Sequence, residues 1–171
     1  MKQPVSKDHL AYIGDMTVSF ALLETAIKCV VWTLIGESGR IGNIVTAELY
    51  FKNLRSLAIS LYLERYGEDS DFQTLKTLMK EADNIEERRN QFTHSIWAVG
   101  KDPESLTRIK PSSRGKEGLR FQIEDVQSDE LAKFVIRIQK LSDEIQVFWK
   151  SLLVRGKAGR KDITNMDQVG I

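Results

Sequence analysis

The chain has few of the residues from which most enzyme sites are built. It holds one cysteine and two histidines, without an H-x-x-x-H spacing or a carboxylate-rich ligand cluster, so no metal site is expected. It also lacks a P-loop, a G-x-G-x-x-G after a predicted strand, and a G-x-S-x-G turn. These absences exclude most familiar enzyme classes, and the sequence predicts no cofactor.

Excess charge and long apolar runs are missing as well. The net charge is +1, so the chain has no overall basic field, and any contact with RNA must come from a local patch. No apolar run reaches the roughly 20 residues that span a bilayer, and the N-terminal residues have no signal-peptide pattern. Cys29 lies alone in an apolar helical run, which is typical of a reduced protein. We therefore expect a cytoplasmic protein without membrane contact.

The composition favours one ordinary globular domain. Of the 171 residues, 42% are apolar and 29% charged. A chain of this length can bury a stable hydrophobic core without disulfides or a structural metal. The sequence predicts a domain over residues 1–154 and a basic, glycine-containing flexible tail over 155–171.

Apolar residues recur mainly with helical spacing and predict four helices. The helices cover, in order, residues 6 or 8 to 36, 41–66, 69 or 70 to about 95, and 128 to about 154. Residues 101–124 differ, because two short alternating stretches flank a turn-rich segment at 112–118, a pattern typical of a β-hairpin. The predicted fold class is all-α, a four-helix up-and-down bundle with a small hairpin inserted between helices 3 and 4.

The stretch Ile85–Trp97, I-E-E-R-R-N-Q-F-T-H-S-I-W, concentrates polar chemistry between apolar residues. Within it, Arg89-Asn90-Gln91-Phe92-Thr93-His94 resembles the Arg-x(4–6)-His motif of HEPN domains. That resemblance implies a small helical metal-independent endoribonuclease, in which two copies of the motif meet at a homodimer cleft. It further implies Arg89, Asn90 and His94 as catalytic residues, a role in toxin–antitoxin or phage-defence systems, and an antitoxin or other protein partner.

The chemistry of these residue types suits RNA cleavage by attack of the 2′-OH on the adjacent phosphorus. A histidine can act as base or acid near neutrality. An arginine offers a fork of donors to phosphate oxygens and stays charged. Asn90 can orient the imidazole or bind a phosphate oxygen, and Glu86 is placed to hold Arg89. The full set of predicted supporting residues is Glu24, Glu86, Glu87, Arg88 and Thr93.

Helical geometry brings only some of these residues together. Asn90 and His94 are four apart and share a face, as Glu87 and His94 do. Arg89 and His94 are about 140° apart on an ideal helix. Either the arginine side chain wraps round, or the helix distorts near Phe92, or the two residues meet across a dimer interface.

Two further sets of charged residues have alternative interpretations. Glu24 either pairs with Lys28 one turn later or orients the arginine of the motif. The basic residues of the hairpin either contact RNA phosphates or protect a solvated strand edge against aggregation. This set consists of Arg108, Lys110, Arg114, Lys116 and Arg120.

A second class of function stays open on the sequence. The chain is alternatively a non-catalytic helical module that binds RNA, a nucleotide or a protein partner through the same groove. Both the nuclease and the binding module can take RNA as a partner. Only the nuclease predicts a cleaved product.

Overall fold

The computed structural model describes residues 5–36, 39–102, 105–112 and 118–166, with side chains up to residue 156. These residues form five helices and three strands. The helices are α1 (Lys7–Ile35), α2 (Arg40–Thr46), α3 (Phe51–Tyr66), α4 (Ser70–Thr93) and α5 (Ser128–Met166). The strands are β1 (Ile96–Val99), β2 (Ser105–Ser112) and β3 (Arg120–Gln127).

The predicted fold class is wrong. The described residues form five helices rather than four, and a three-stranded antiparallel sheet follows the fourth helix, instead of a two-stranded hairpin between helices 3 and 4. The third strand arises because Ile96–Val99, which lies between the predicted third helix and the predicted hairpin, pairs with β2. A two-stranded hairpin is marginally stable alone, and a third strand extends its hydrogen bonding.

The additional helix comes from a break within the predicted second helix. The hydroxyl of Thr46 donates to the carbonyl of Gly42 and accepts a bond from Trp32 Nε1 at 3.0 Å. Tyr50 then adopts an extended conformation before α3 begins. Gly42 lies against the Trp32 ring so closely that a Cβ would come within 2.6 Å of it. Ile44 and Val45 of α2 are exposed.

The long helices bury the apolar stripes that their spacing predicts. In α4 these residues are Phe72, Leu75, Leu78, Met79, Ala82 and Ile85. In α5 they are Leu131, Phe134, Val135, Ile138, Leu141, Ile145, Phe148 and Leu152. Asp69 caps α4, because its carboxylate accepts a 2.8 Å bond from the Phe72 amide.

The two faces of the sheet differ in burial. Leu106, Arg108 and Val126 are buried on one face. On the other face the register aligns Ile96, Ile109 and Ile123 in one row across the three strands. Ile96 is 60% exposed and Ile123 is 68% exposed, so this face is apolar and open.

The chain divides into two compact units where the sequence predicted one domain. The first unit combines Met1–Ala21 with Asp83–Lys140, and the second combines Leu22–Ala82 with Leu141–Ile171. The segment predicted as a flexible tail from residue 155 is helical as far as Met166. The apolar stripe of α5 ends near Leu152, which is why the sequence placed the end of the helix there.

Among the described residues, one helix, α1 near the N-terminus, meets the length and composition of a membrane span, whereas the sequence predicted no such run. Core helices of soluble proteins and signal sequences near an N-terminus pass the same test. In the structure, α1 buries Leu23, Ile27 and Val30 completely. A cytoplasmic location stays a prediction.

Candidate functional site

The motif residues lie at the C-terminal end of α4, in the first unit. Arg89 and Asn90 belong to the last helical turn, and the His94 amide donates to the Asn90 carbonyl at 3.1 Å, just past the end of the helix. The His94 side chain is exposed. Within the described part of the chain it makes no hydrogen bond or ion pair. The imidazole is therefore open to solvent and to a ligand.

Arg89 turns towards Asn90. Its Nη1 donates to Asn90 Oδ1 at 2.8 Å, and its guanidinium carbon lies 4.5 Å from the centre of the Phe20 ring. Its Nε is buried without a hydrogen-bond partner among the described residues. This bond joins neighbouring residues, and the described contacts include none between Arg89 and His94, so the three alternatives for how these two residues meet stay open.

The supporting residues are arranged differently from their predicted roles. Among the described residues Arg89 has no carboxylate partner, Glu86 included. Glu24 forms an ion pair with Lys28 at 2.6 Å, which confirms the first of its two interpretations. Glu87 and Thr93 are exposed, and the Thr93 hydroxyl donates to the Arg89 carbonyl.

Arg88, the neighbour of Arg89, is the centre of an ion-pair network. Its two terminal nitrogens donate to Glu124 at 2.7 and 3.1 Å, and Nη2 also donates to Glu130. Gln91 accepts a further bond from Arg88, and the guanidinium lies over the Phe92 ring at 4.3 Å. The hydrogen bonds that Arg88 donates to Glu124, and then to Glu130, raise the pKa of Arg88.

Arg108 completes the network from the sheet. It is 4% exposed and donates to Glu124 Oε2 through Nε and Nη2 at 2.9 and 2.6 Å. Hydrogen bonds from Arg88, and then from Arg108, hold the pKa of Glu124 below its ordinary value, against the effect of burial. Arg108 therefore stabilises the interior of the first unit and does not present its charge to a phosphate.

Two of the other basic residues of the predicted RNA-contacting hairpin lie among the described residues. Lys110 is half-buried and Arg120 is exposed. Arg114 and Lys116 lie outside the described residues. The described strands thus supply no cluster of exposed cations.

A groove lies along the parts of α4 and α5 that belong to the first unit. It has a volume of about 300 Å³ and is lined by Arg88, Phe92, Glu130, Lys133, Phe134 and Arg137. Phe92 and Phe134 pack edge to face at its base, with ring centres 5.4 Å apart. Lys133 and Arg137 are exposed and one helical turn apart on α5, and Lys133 forms an ion pair with Asp129 at 2.7 Å.

Sequence reasoning missed Glu124, Glu130 and Ser95. A signal for Glu124 was present, because an inward-facing Arg108 requires a carboxylate and the strand register places Glu124 directly opposite it. The sequence analysis predicted a turn-rich segment at 112–118 but no strand register, so it did not pair Arg108 with Glu124. Among the described residues, no group of three or more His, Cys, Asp or Glu is arranged to hold a metal ion.

Comparison with protein-family models, with curated proteins and with solved structures gives no match to this chain.

Proposed function

We propose that the protein is a metal-independent endoribonuclease of HEPN type, with Arg89, Asn90 and His94 as its catalytic residues. The observation that supports this most directly is the 2.8 Å hydrogen bond between Arg89 Nη1 and Asn90 Oδ1. It holds the guanidinium, which has no carboxylate partner among the described residues, against Asn90, and Asn90 shares a helix face with the exposed His94. A cation and a proton-transfer group are the two components that cleavage of RNA by its own 2′-OH requires.

In the proposed reaction, His94 removes the proton from the 2′-OH as that oxygen attacks phosphorus. The bond from phosphorus to the 5′-oxygen breaks, and a proton passes from an imidazolium or from water to the leaving oxygen. The products are a 2′,3′-cyclic phosphate and a 5′-OH end. Arg89 donates to the phosphate oxygens as negative charge accumulates on them, and Asn90 holds the guanidinium in place.

The proposal includes the setting that the HEPN resemblance implies. Two copies of the chain form a homodimer with both motifs at one cleft, and the nuclease serves as the effector of a toxin–antitoxin or phage-defence system. A cognate antitoxin or another protein partner restrains it.

The test is incubation of purified protein with a mixed RNA pool in EDTA. We expect wild type to leave 2′,3′-cyclic phosphate ends and His94→Ala to cut roughly 10²–10⁴-fold more slowly. The variant should melt at the wild-type temperature, because the His94 side chain is exposed and makes no described contact. Arg40→Ala is the matched control, since it removes an exposed cation from α2. Equal cleavage by wild type and His94→Ala would rule out the proposed site.

A second candidate, a non-catalytic binding module, is favoured by the groove beside Arg88. The aromatic side chains that line it, Phe92 and Phe134, suit a ligand with an apolar or planar part. In the same incubation, this function gives saturable binding of RNA by wild type and no product.

A further inference from the structure

Side chains from outside α4 restrain the backbone on both sides of His94 through hydrogen bonds. The last carbonyls of a helix have no amide partner four residues further on, and other donors must satisfy them. Here the Ser95 hydroxyl donates to the Gln91 carbonyl at 2.5 Å. Trp97 Nε1 donates to the Phe92 carbonyl at 3.1 Å.

These two donors are themselves held in place. Ser95 Oγ accepts a 3.2 Å hydrogen bond from Arg108 Nη1, and Arg108 is fixed by Glu124. Because Glu124 also binds Arg88 of α4, these contacts close a ring from α4 through β3 and β2 back to the residue after His94. The Trp97 ring stacks on Phe92 with the ring planes 19° apart.

His94 thus combines a restrained backbone with an exposed side chain. Its amide is bonded to Asn90, the carbonyls two and three residues before it are capped, and Ser95 directly after it is anchored. We infer that Ser95, Trp97 and Arg108 are positioning residues that set the place of the His94 imidazole relative to Asn90 and Arg89. This inference rests on the proposed nuclease function.

The physical reason is the sensitivity of catalysis to small displacements. A shift of about 1 Å in a catalytic group can cost roughly 10²-fold in rate. A histidine at a fraying helix end samples many positions, whereas the ring of contacts through Arg108 restricts the backbone from which the imidazole projects. Arg108 thereby receives a role at the proposed site that involves no contact with RNA.

The first test compares Ser95→Ala with Ser151→Ala. Both serines donate to a backbone carbonyl of a helix, and the Ser151 bond to Phe148 lies within α5, far from the motif in the sequence. We expect Ser95→Ala to lower kcat roughly 10–100-fold with KM unchanged, and Ser151→Ala to leave both constants unchanged. Trp97→Phe removes the Nε1 donor while it keeps a ring to stack on Phe92, and it should also lower kcat alone. A wild-type kcat in Ser95→Ala and Trp97→Phe would overturn the inference, as would a loss that merely follows the unfolded fraction.

The second measurement does not depend on activity. In wild type, the NMR order parameter of the His94 amide should be near the rigid value of about 0.85, and in Ser95→Ala it should fall towards about 0.6. An unchanged order parameter would overturn the inference. A fall in the order parameter together with no RNA cleavage by wild type would instead refute the nuclease and retain the positioning of His94.

Discussion

Two neighbouring arginines on α4 have opposite surroundings. Successive residues point about 100° apart around a helix. Arg88 therefore faces Glu124 and Glu130, while Arg89 faces Phe20 and Asn90. A guanidinium bound by two carboxylates is electrostatically compensated, and a phosphate must compete with both to reach it. Arg89 has no such competitor in the described part of the chain, which is why we assign phosphate binding to Arg89.

Glu124 makes the stability of the first unit depend on pH. Its folded-state pKa lies below the ordinary value, so its stabilising contribution is complete above pH about 4.3 and is lost as the pH falls through the folded-state pKa. At pH 7, Glu124→Gln should lower the free energy of unfolding by roughly 2–4 kcal/mol, because it leaves the buried Arg108 without a full counter-charge. The difference between the variant and wild type should shrink as the pH falls below about 4.

Urea denaturation at pH 7 and in acid measures this difference. Glu87→Gln removes an exposed carboxylate from α4 and should leave the stability at pH 7 unchanged. If Glu124→Gln were as stable as wild type at pH 7, the network would contribute no net stability.

At the scale of elements, Arg155 of α5 links α3 to the start of α4 within the second unit. Arg155 donates to Asp69 Oδ2 at 2.7 Å and to the Tyr62 hydroxyl at 2.8 Å, and it lies over the Tyr66 ring at 4.2 Å. Burial, followed by the hydrogen bond to Asp69, raises the pKa of Tyr62, so this phenol stays neutral. Since Asp69 also caps α4, one residue of α5 contacts both the end of α3 and the start of α4.

Arg155→Ala should therefore destabilise the second unit. It removes a hydrogen bond to the buried Tyr62 and a cation–π contact, together worth roughly 1–2 kcal/mol. We expect the melting temperature to fall by roughly 2–6 °C, measured by circular dichroism. Arg155→Lys keeps the charge but loses the planar stacking, so its melting temperature should lie between those of wild type and Arg155→Ala. A melting temperature equal to that of Arg40→Ala would show that the cluster adds nothing to stability.

At the scale of the whole molecule, the proposed homodimer raises the question of whether each site is built from one chain or two. The Arg89–Asn90 hydrogen bond joins residues of one chain, and Asn90 shares a face with His94 of that chain. We therefore expect each protomer to hold a complete site.

A mixed dimer tests this expectation. Arg89→Ala and His94→Ala chains with different tags are co-expressed and purified through both tags, so that only mixed oligomers remain. If each site lies within one chain, every site lacks a residue and RNA cleavage stays absent. Recovery of partial activity would show that Arg89 of one protomer works with His94 of the other. Light scattering on the same sample checks that dimers are present.

Local periodicity explains how much of the fold was predictable. The stripes of α4 and α5 follow from spacing alone, because a helical residue's burial depends on its angular position. The break after Thr46 was not predictable in this way, since it depends on Trp32, which lies 14 residues away. Strand β1 was missed because a four-residue strand has too little alternation to be recognised without its partner β2.

The sequence by itself determined which residues form the candidate motif and that Asn90 and His94 share a face, because these properties depend only on residue type and helical spacing. Only the tertiary structure decided that Arg88 is bound by Glu124 and Glu130, that Arg89 turns to Asn90 and Phe20, and that Arg108 is buried. These outcomes join residues far apart in the chain, and the partner of a buried charge depends on strand register and on packing. The local sequence around a charged residue does not indicate whether its side chain will face solvent or a buried carboxylate.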